Sequence, residues 1–165
     1  MAVVNGNELL NLTGLALVPP TLPNVRTNGA KVQQVLAVVE VAAGDDDNST
    51  FRVARIPSNA VLSSIAIAND AITGGTDYDL GIAYPAGATI DADALVDGVS
   101  LATGTSNAFS VNGMSAVDIA NTGKYLWELA GLTVDPQGDL DLILRGNTIG
   151  TAAGTIAFKV QFTQN

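Results

Sequence analysis

Acidic side chains are the most plentiful chemically active groups in this chain. Asp91-Ala92-Asp93 with Asp97-Gly98 has part of the spacing of a calcium-binding loop, in which oxygen ligands fall at alternate positions. It lacks the glycine at the sixth position, and Ala102 stands where the closing acid belongs. A solvated acidic loop is the simpler reading. Asp45-Asp46-Asp47-Asn48-Ser49 offers oxygens too, but Asp and Asn in series also make a hairpin tip. Asp77 and Asp79 lie two apart on one strand face. Glycoside hydrolysis needs two carboxyls across a cleft, and nothing in the sequence sets that up.

The residue types that are missing exclude more. The chain has no Cys, so thiolate nucleophiles, disulfides and zinc-thiolate sites are out. It has no His, which removes the commonest general base and transition-metal ligand. There is no G-x-S-x-G, no S-x-x-K and no phosphate-cradling loop followed by Lys-Ser/Thr. No catalytic residue, no cofactor and no metal are therefore expected, and the chain is not expected to be an enzyme. Trp127, Tyr78, Tyr84 and Tyr125 remain as a handle. They can line a sugar-binding face, or serve packing and protein contact.

Charge narrows the partners. The formal net charge is -9, and the seven basic residues, Arg26, Lys31, Arg52, Arg55, Lys124, Arg145 and Lys159, are scattered. A nucleic-acid binder needs clustered Lys and Arg to release counterions, so no nucleic acid is expected. Residues 1–18 carry no positive n-region and contain Glu8, so no secretory signal is expected there. No apolar run approaches the roughly 20 residues that span a bilayer as a helix, so no membrane partner is expected.

The elements behind these groups read as β. At 165 residues, 47% hydrophobic and 14% charged, the chain is long and apolar enough to bury a core. Residues 32–41 form a strand with Val35, Val39 and Val41 on one parity. Residues 51–56 form the next, ended by Pro57-Ser58-Asn59. Residues 61–68 follow, with Val61, Ile65 and Ile67 on one face. Tyr78, Leu80, Ile82 and Tyr84 alternate with Asp77, Asp79, Gly81 and Ala83, the signature of a half-buried strand. Residues 91–102 have room for a turn of helix, and 107–121 read as mostly loop. Residues 124–130 form a short helix with Gly131 as its stop. Leu140, Leu142 and Leu144, then Ile156, Phe158, Val160 and Phe162, mark two last strands, read as an antiparallel pair. The expected fold is all-β: an antiparallel β-sandwich of jelly-roll type with one short helix and an extended N-terminal arm.

Residues 1–30 are unlike the rest. Leu9, Leu10, Leu12, Leu15, Leu17 and Val18 cluster, then Pro19, Pro20, Leu22 and Pro23 follow. Proline removes a donor and fixes φ, so this stretch stays outside a central sheet. It is either an irregular first strand of the same domain or an arm lying on a neighbour. The division adopted is an arm at 1–30 and a sandwich at 31–165. Six aliphatics on an arm are unfavourable in water and need a partner surface. This makes Leu9, Leu10, Leu12, Leu15, Leu17, Val18, Pro19, Pro20 and Leu22 the expected interface residues.

A family resemblance sharpens this picture. The run Arg55-Ile56-Pro57-Ser58-Asn59-Ala60-Val61-Leu62-Ser63-Ser64-Ile65 resembles tailed-bacteriophage virion proteins. So do Ala68-Asn69-Asp70-Ala71-Ile72 and Gly75-Thr76-Asp77-Tyr78-Asp79-Leu80-Gly81-Ile82 after it. Leu126-Trp127-Glu128-Leu129-Ala130-Gly131-Leu132, Asp135-Pro136 and Asp139-Leu140-Asp141-Leu142-Ile143-Leu144 fit the same group. Thr151-Ala152-Ala153-Gly154-Thr155-Ile156 fits as well, and the resemblance spans residues 50 to 163. It implies a capsid decoration, or cement, protein: a small β-sandwich on the outer surface of the phage head. Its implied partners are the major capsid protein and further copies of itself, as a homotrimer. The alternative is a tail, fibre or receptor-binding component that recognises glycans.

Overall fold

The computed structural model describes residues 31–110 and 120–164. Eight strands and one helical turn lie in them. They are β1 (Val32–Val41), β2 (Thr50–Pro57), β3 (Val61–Asn69), β4 (Asp77–Ala83), β5 (Thr89–Val99), β6 (Thr105–Ser110), α1 (Leu126–Leu129), β7 (Asp139–Thr148) and β8 (Gly154–Thr163). Two four-stranded sheets result, ordered β1-β8-β3-β6 and β2-β7-β4-β5, with every pairing antiparallel. Consecutive strands alternate between the sheets except β4 and β5, which pair in one, and this is the double Greek key of a jelly roll. The fold class expected from the sequence is the one observed. The expected arm at 1–30 lies outside the described residues.

The period-two pattern builds the core. Val39 and Val41 of β1, Leu62, Ile65 and Ile67 of β3, and Ile156, Phe158, Val160 and Phe162 of β8 line one inner face. Ile56 of β2, Tyr78, Leu80 and Ile82 of β4, and Leu140, Leu142 and Leu144 of β7 line the other. Burying one such side chain is worth about 1.5–3 kcal/mol. The expected face of β3 needs one correction. Leu62, not Val61, joins Ile65 and Ile67 in the core, because the β3–β8 register shifts between Leu62 and Ser64. A bulge there moves the parity by one residue.

Two larger corrections come from long-range pairing. Residues 91–102 do not form a helical turn, since 89–99 are strand β5. Residues 107–110 of the expected loop belong to strand β6. Strands β7 and β8, expected to be an antiparallel pair, are consecutive in sequence but belong to different sheets. Their connection crosses from one sheet to the other and carries the buried Ile149.

Strand β4 is buried on both faces, not half-buried as its alternation suggests. Asp79, Gly81 and Ala83 are buried along with Tyr78, Leu80 and Ile82. The cause is strand β5. Leu80 pairs with Val96 and Ile82 with Asp91, so two steps along β4 match five along β5. The surplus folds over the outer face. A Cβ on Gly81 would lie 2.3 Å from the carbonyl oxygens of both Asp91 and Ala92.

The four loops at one end interlock. Asn48 N donates to Gly146 O at 2.7 Å, and Gly146 N to Ser49 O at 3.0 Å. Thr151 N donates to Thr73 O, and Leu101 N to Gly75 O. At the other end α1 docks on the β2–β3 turn, with Leu126 N donating to Ala60 O at 2.8 Å. Gly131, at φ +72°, stops the helix as its sequence predicts.

Gly81→Ala should destabilise the sandwich by at least about 3 kcal/mol, because two backbone carbonyls must move. Gly44→Ala, with nothing within 4 Å of its Cβ, should stay within about 0.5 kcal/mol of the parent. Chemical denaturation of the two variants checks both.

Candidate assembly surface

The acidic groups singled out by the sequence are used inside the fold. In the Asp45–Asp47 run, Asp45 Oδ2 accepts from Ala42 N at 2.8 Å and Asp47 Oδ1 from Ile149 N at 3.0 Å. The first bond closes the β1–β2 turn on itself, and the second ties that turn to the β7–β8 crossover. Tyr78 completes the junction: its buried hydroxyl donates to Ile149 O at 2.8 Å. Burial first, and then the nearby Asp45 and Asp47, push this phenol up to about 12.

Asp79 is 5% exposed, and both of its oxygens are occupied. Oδ1 accepts from Gly98 N at 3.0 Å and Oδ2 from Asn147 Nδ2 at 2.6 Å. A buried carboxylate bonded in this way fixes loops and is not offered to a substrate. Asp141 is a functional-looking acid that sequence reasoning passed over. It is 2% exposed, accepts from Arg55 Nε at 2.7 Å and Arg55 Nη2 at 3.1 Å, and lies 3.2 Å from Arg52 Nη1. Only the β2–β7 register, which sets Arg55 opposite Asp141, makes this cluster.

Asp91 and Asp93 do sit together, on the part of β5 that covers Gly81. The Asp91 carboxyl is raised above its ordinary value of 3.8, mainly by a hydrogen bond with the Asp93 side chain and then by burial. Among the described residues no group of three or more acidic, His or Cys side chains is placed to hold a metal.

The aromatic residues are scattered. Tyr78 is fully buried at one end of β4, while Tyr84, 37% exposed, follows its other end. Trp127 is half-buried and packs on the core beside Leu129. No single face collects them. A cleft of about 450 Å³ lies between Asn69, Asp70, Gly104, Thr105 and Thr155. Its buried amide is already satisfied: Asn69 Nδ2 donates to Asp70 O, Leu101 O and Thr103 O, and its Oδ1 accepts from Thr105 Oγ1.

What remains is an apolar row on β1. Val35, Ala37, Val39 and Val41 turn inward. Val32, Leu36 and Val38 turn outward and are 56%, 71% and 65% exposed. Beside them on the same outer face, by register, lie Ala157 next to Val38 and Lys159 next to Leu36 on β8, with Ala68 and Ala66 of β3 beyond. Sequence reasoning named the strand and its inward face, and the outward aliphatics were the missed signal. The expected interface residues Leu9, Leu10, Leu12, Leu15, Leu17, Val18, Pro19, Pro20 and Leu22 lie outside the described residues.

The class this architecture defines is the eight-stranded jelly roll. No protein-family model matches the chain, and no curated protein matches it. Among solved structures, a chain of the capsid of Ralstonia phage GP4 shares the fold, with a TM-score of 0.58. Its identity is 13%, over 84% of this chain and 88% of that one. A chain of the cyanophage Pam1 capsid asymmetric unit matches with a TM-score of 0.49 and 15% identity, over the same shares of each chain. At such identities the likeness is one of fold.

The acid pair has a pH signature. A raised Asp91 means that the folded state holds a proton the unfolded chain has lost. That stabilisation is complete below 3.8 and disappears as pH rises through the folded value. Asp93→Asn should therefore raise the melting temperature by a few degrees, about 1–4 °C, at pH 7. The gain should vanish near pH 3, as calorimetry across that range would show.

Proposed function

We propose that the chain is a structural protein of a phage virion, of the decoration or cement type. In this reading it sits on the outer surface of the head and bridges neighbouring subunits of the major capsid protein. The observation that carries the reading is the likeness in fold, over 84% of this chain, to a chain of the Ralstonia phage GP4 capsid. Three features of the chain support it. It contains no His or Cys. Its buried acids Asp79 and Asp141 are committed to internal partners. Its sandwich leaves an apolar row uncovered on β1.

The physics of such a role asks for no catalyst. A protein that binds the assembled shell but not free subunits stabilises the shell by mass action. Many copies on a symmetric surface multiply a modest contact. The aliphatic residues Leu9–Val18 supply burial for that contact, which must exceed the cost of ordering them. A glycan-binding role in a tail or fibre has less support, because Tyr78 is buried and Trp127 packs on the core.

Deleting residues 1–23 should abolish co-sedimentation with heads that lack the protein, while the circular dichroism of the sandwich stays unchanged. Full attachment of the shortened chain would remove the arm from the mechanism. Failure of the intact chain to bind any head would remove the function itself.

A further inference from the structure

Sheet edges are where this molecule differs from one side to another. An edge strand exposes unpaired N–H and C=O groups, and natural proteins guard it with charge, proline or bulges. Two edges here are guarded. Strand β2 carries Arg52 and Arg55, a register shift between Arg52 and Ala54, and Pro57 at its end. Strand β5 carries Asp91, Asp93 and Asp97 and three register shifts. Strand β1 has none of these devices. It is ten residues long, pairs with β8 without a break in register, and has no proline. Its single charge is Glu40, near its end. Its outward face bears Leu36 and Val38, both about two-thirds exposed.

We infer that β1, an edge strand among the described residues, pairs with β1 of a second copy, antiparallel, about a two-fold axis near Ala37. This goes beyond attachment to a shell, since it concerns contact between copies in solution. The strand is complementary to itself in that arrangement. Leu36 of each copy faces Val38 of the other on the outer surface, so the most exposed aliphatics of the strand cover one another. Gln34 of each faces Glu40 of the other, an amide donor against a carboxylate. Parallel pairing in register would instead set Glu40 against Glu40. The axis passes at a small residue, and the sheet β6-β3-β8-β1 continues across it with its inner and outer faces preserved. A net charge of -9 per copy opposes association. The pairing strand contributes little to that repulsion, and salt screens the rest. A homotrimer, which the family resemblance implies, would need a different contact.

The test is sedimentation equilibrium of the purified full-length chain, without shells. A monomer–dimer equilibrium is expected. Leu36→Asp with Val38→Lys should weaken it roughly 100-fold or more. These side chains are exposed, so the circular dichroism should not change. As a second probe, Ala37→Cys places the sole thiol of the chain beside the axis, and mild oxidation should link it to its own copy in the dimer. A monomer at all concentrations would overturn the inference, and so would a trimer. So would a dimer that ignores the double substitution and leaves Ala37→Cys uncrosslinked. A full-length monomer that dimerises only after removal of residues 1–23 would mean that the chain covers its own β1, which also overturns it. None of these outcomes depends on whether the protein binds heads.

Discussion

Two sheets share one apolar layer, and keeping that layer closed governs the rest of the molecule. Leucine, isoleucine, valine and phenylalanine side chains from both inner faces meet there with almost no exposure. Such a layer is open at its ends and sides unless something covers it. One end is covered by four loops tied through backbone hydrogen bonds, with Tyr78 reaching Ile149 O behind them. The other end is covered by α1, whose first backbone amides donate to the β2–β3 turn. The outer side of β4 is covered by the surplus length of β5 lying on Gly81.

The same closure consumes the polar chemistry of the chain. A buried carboxylate costs free energy unless it is bonded, so Asp79 and Asp141 survive inside only with their partners. Asp45 and Asp47 hold a turn in the same way. These residues resemble a catalytic or metal-binding set when counted along the sequence. In space they are separate, and each is occupied. Among the described residues β1 ends its sheet and bears the exposed aliphatics Leu36 and Val38.

This distribution suits a protein whose work is attachment. An aliphatic row on an edge strand is unfavourable in a lone molecule and favourable in an assembly. The edges at β2 and β5 carry the usual defences of charge and broken register, and β1 differs from both. The aliphatic-rich residues 9–18 precede this strand in the sequence.

Local pattern carried much of the answer. Alternation with period two was enough to mark β1, β4, β7 and β8, and Gly131 was enough to end α1. The absence of His and Cys by itself removed most catalytic chemistry. What local pattern cannot contain is the partner of each strand. The alternation of residues 139–144 is the same whether β7 pairs with β8 or lies in the opposite sheet. The alternation of β4 does not reveal that β5 will cover its second face. Arg55 and Asp141 are 86 residues apart and meet only through the β2–β7 register. Side-chain parity is a property of a few neighbouring residues. Sheet order, bulges and the uncovered edge arise from pairings between distant segments, and these were decided only when the whole chain closed on its core.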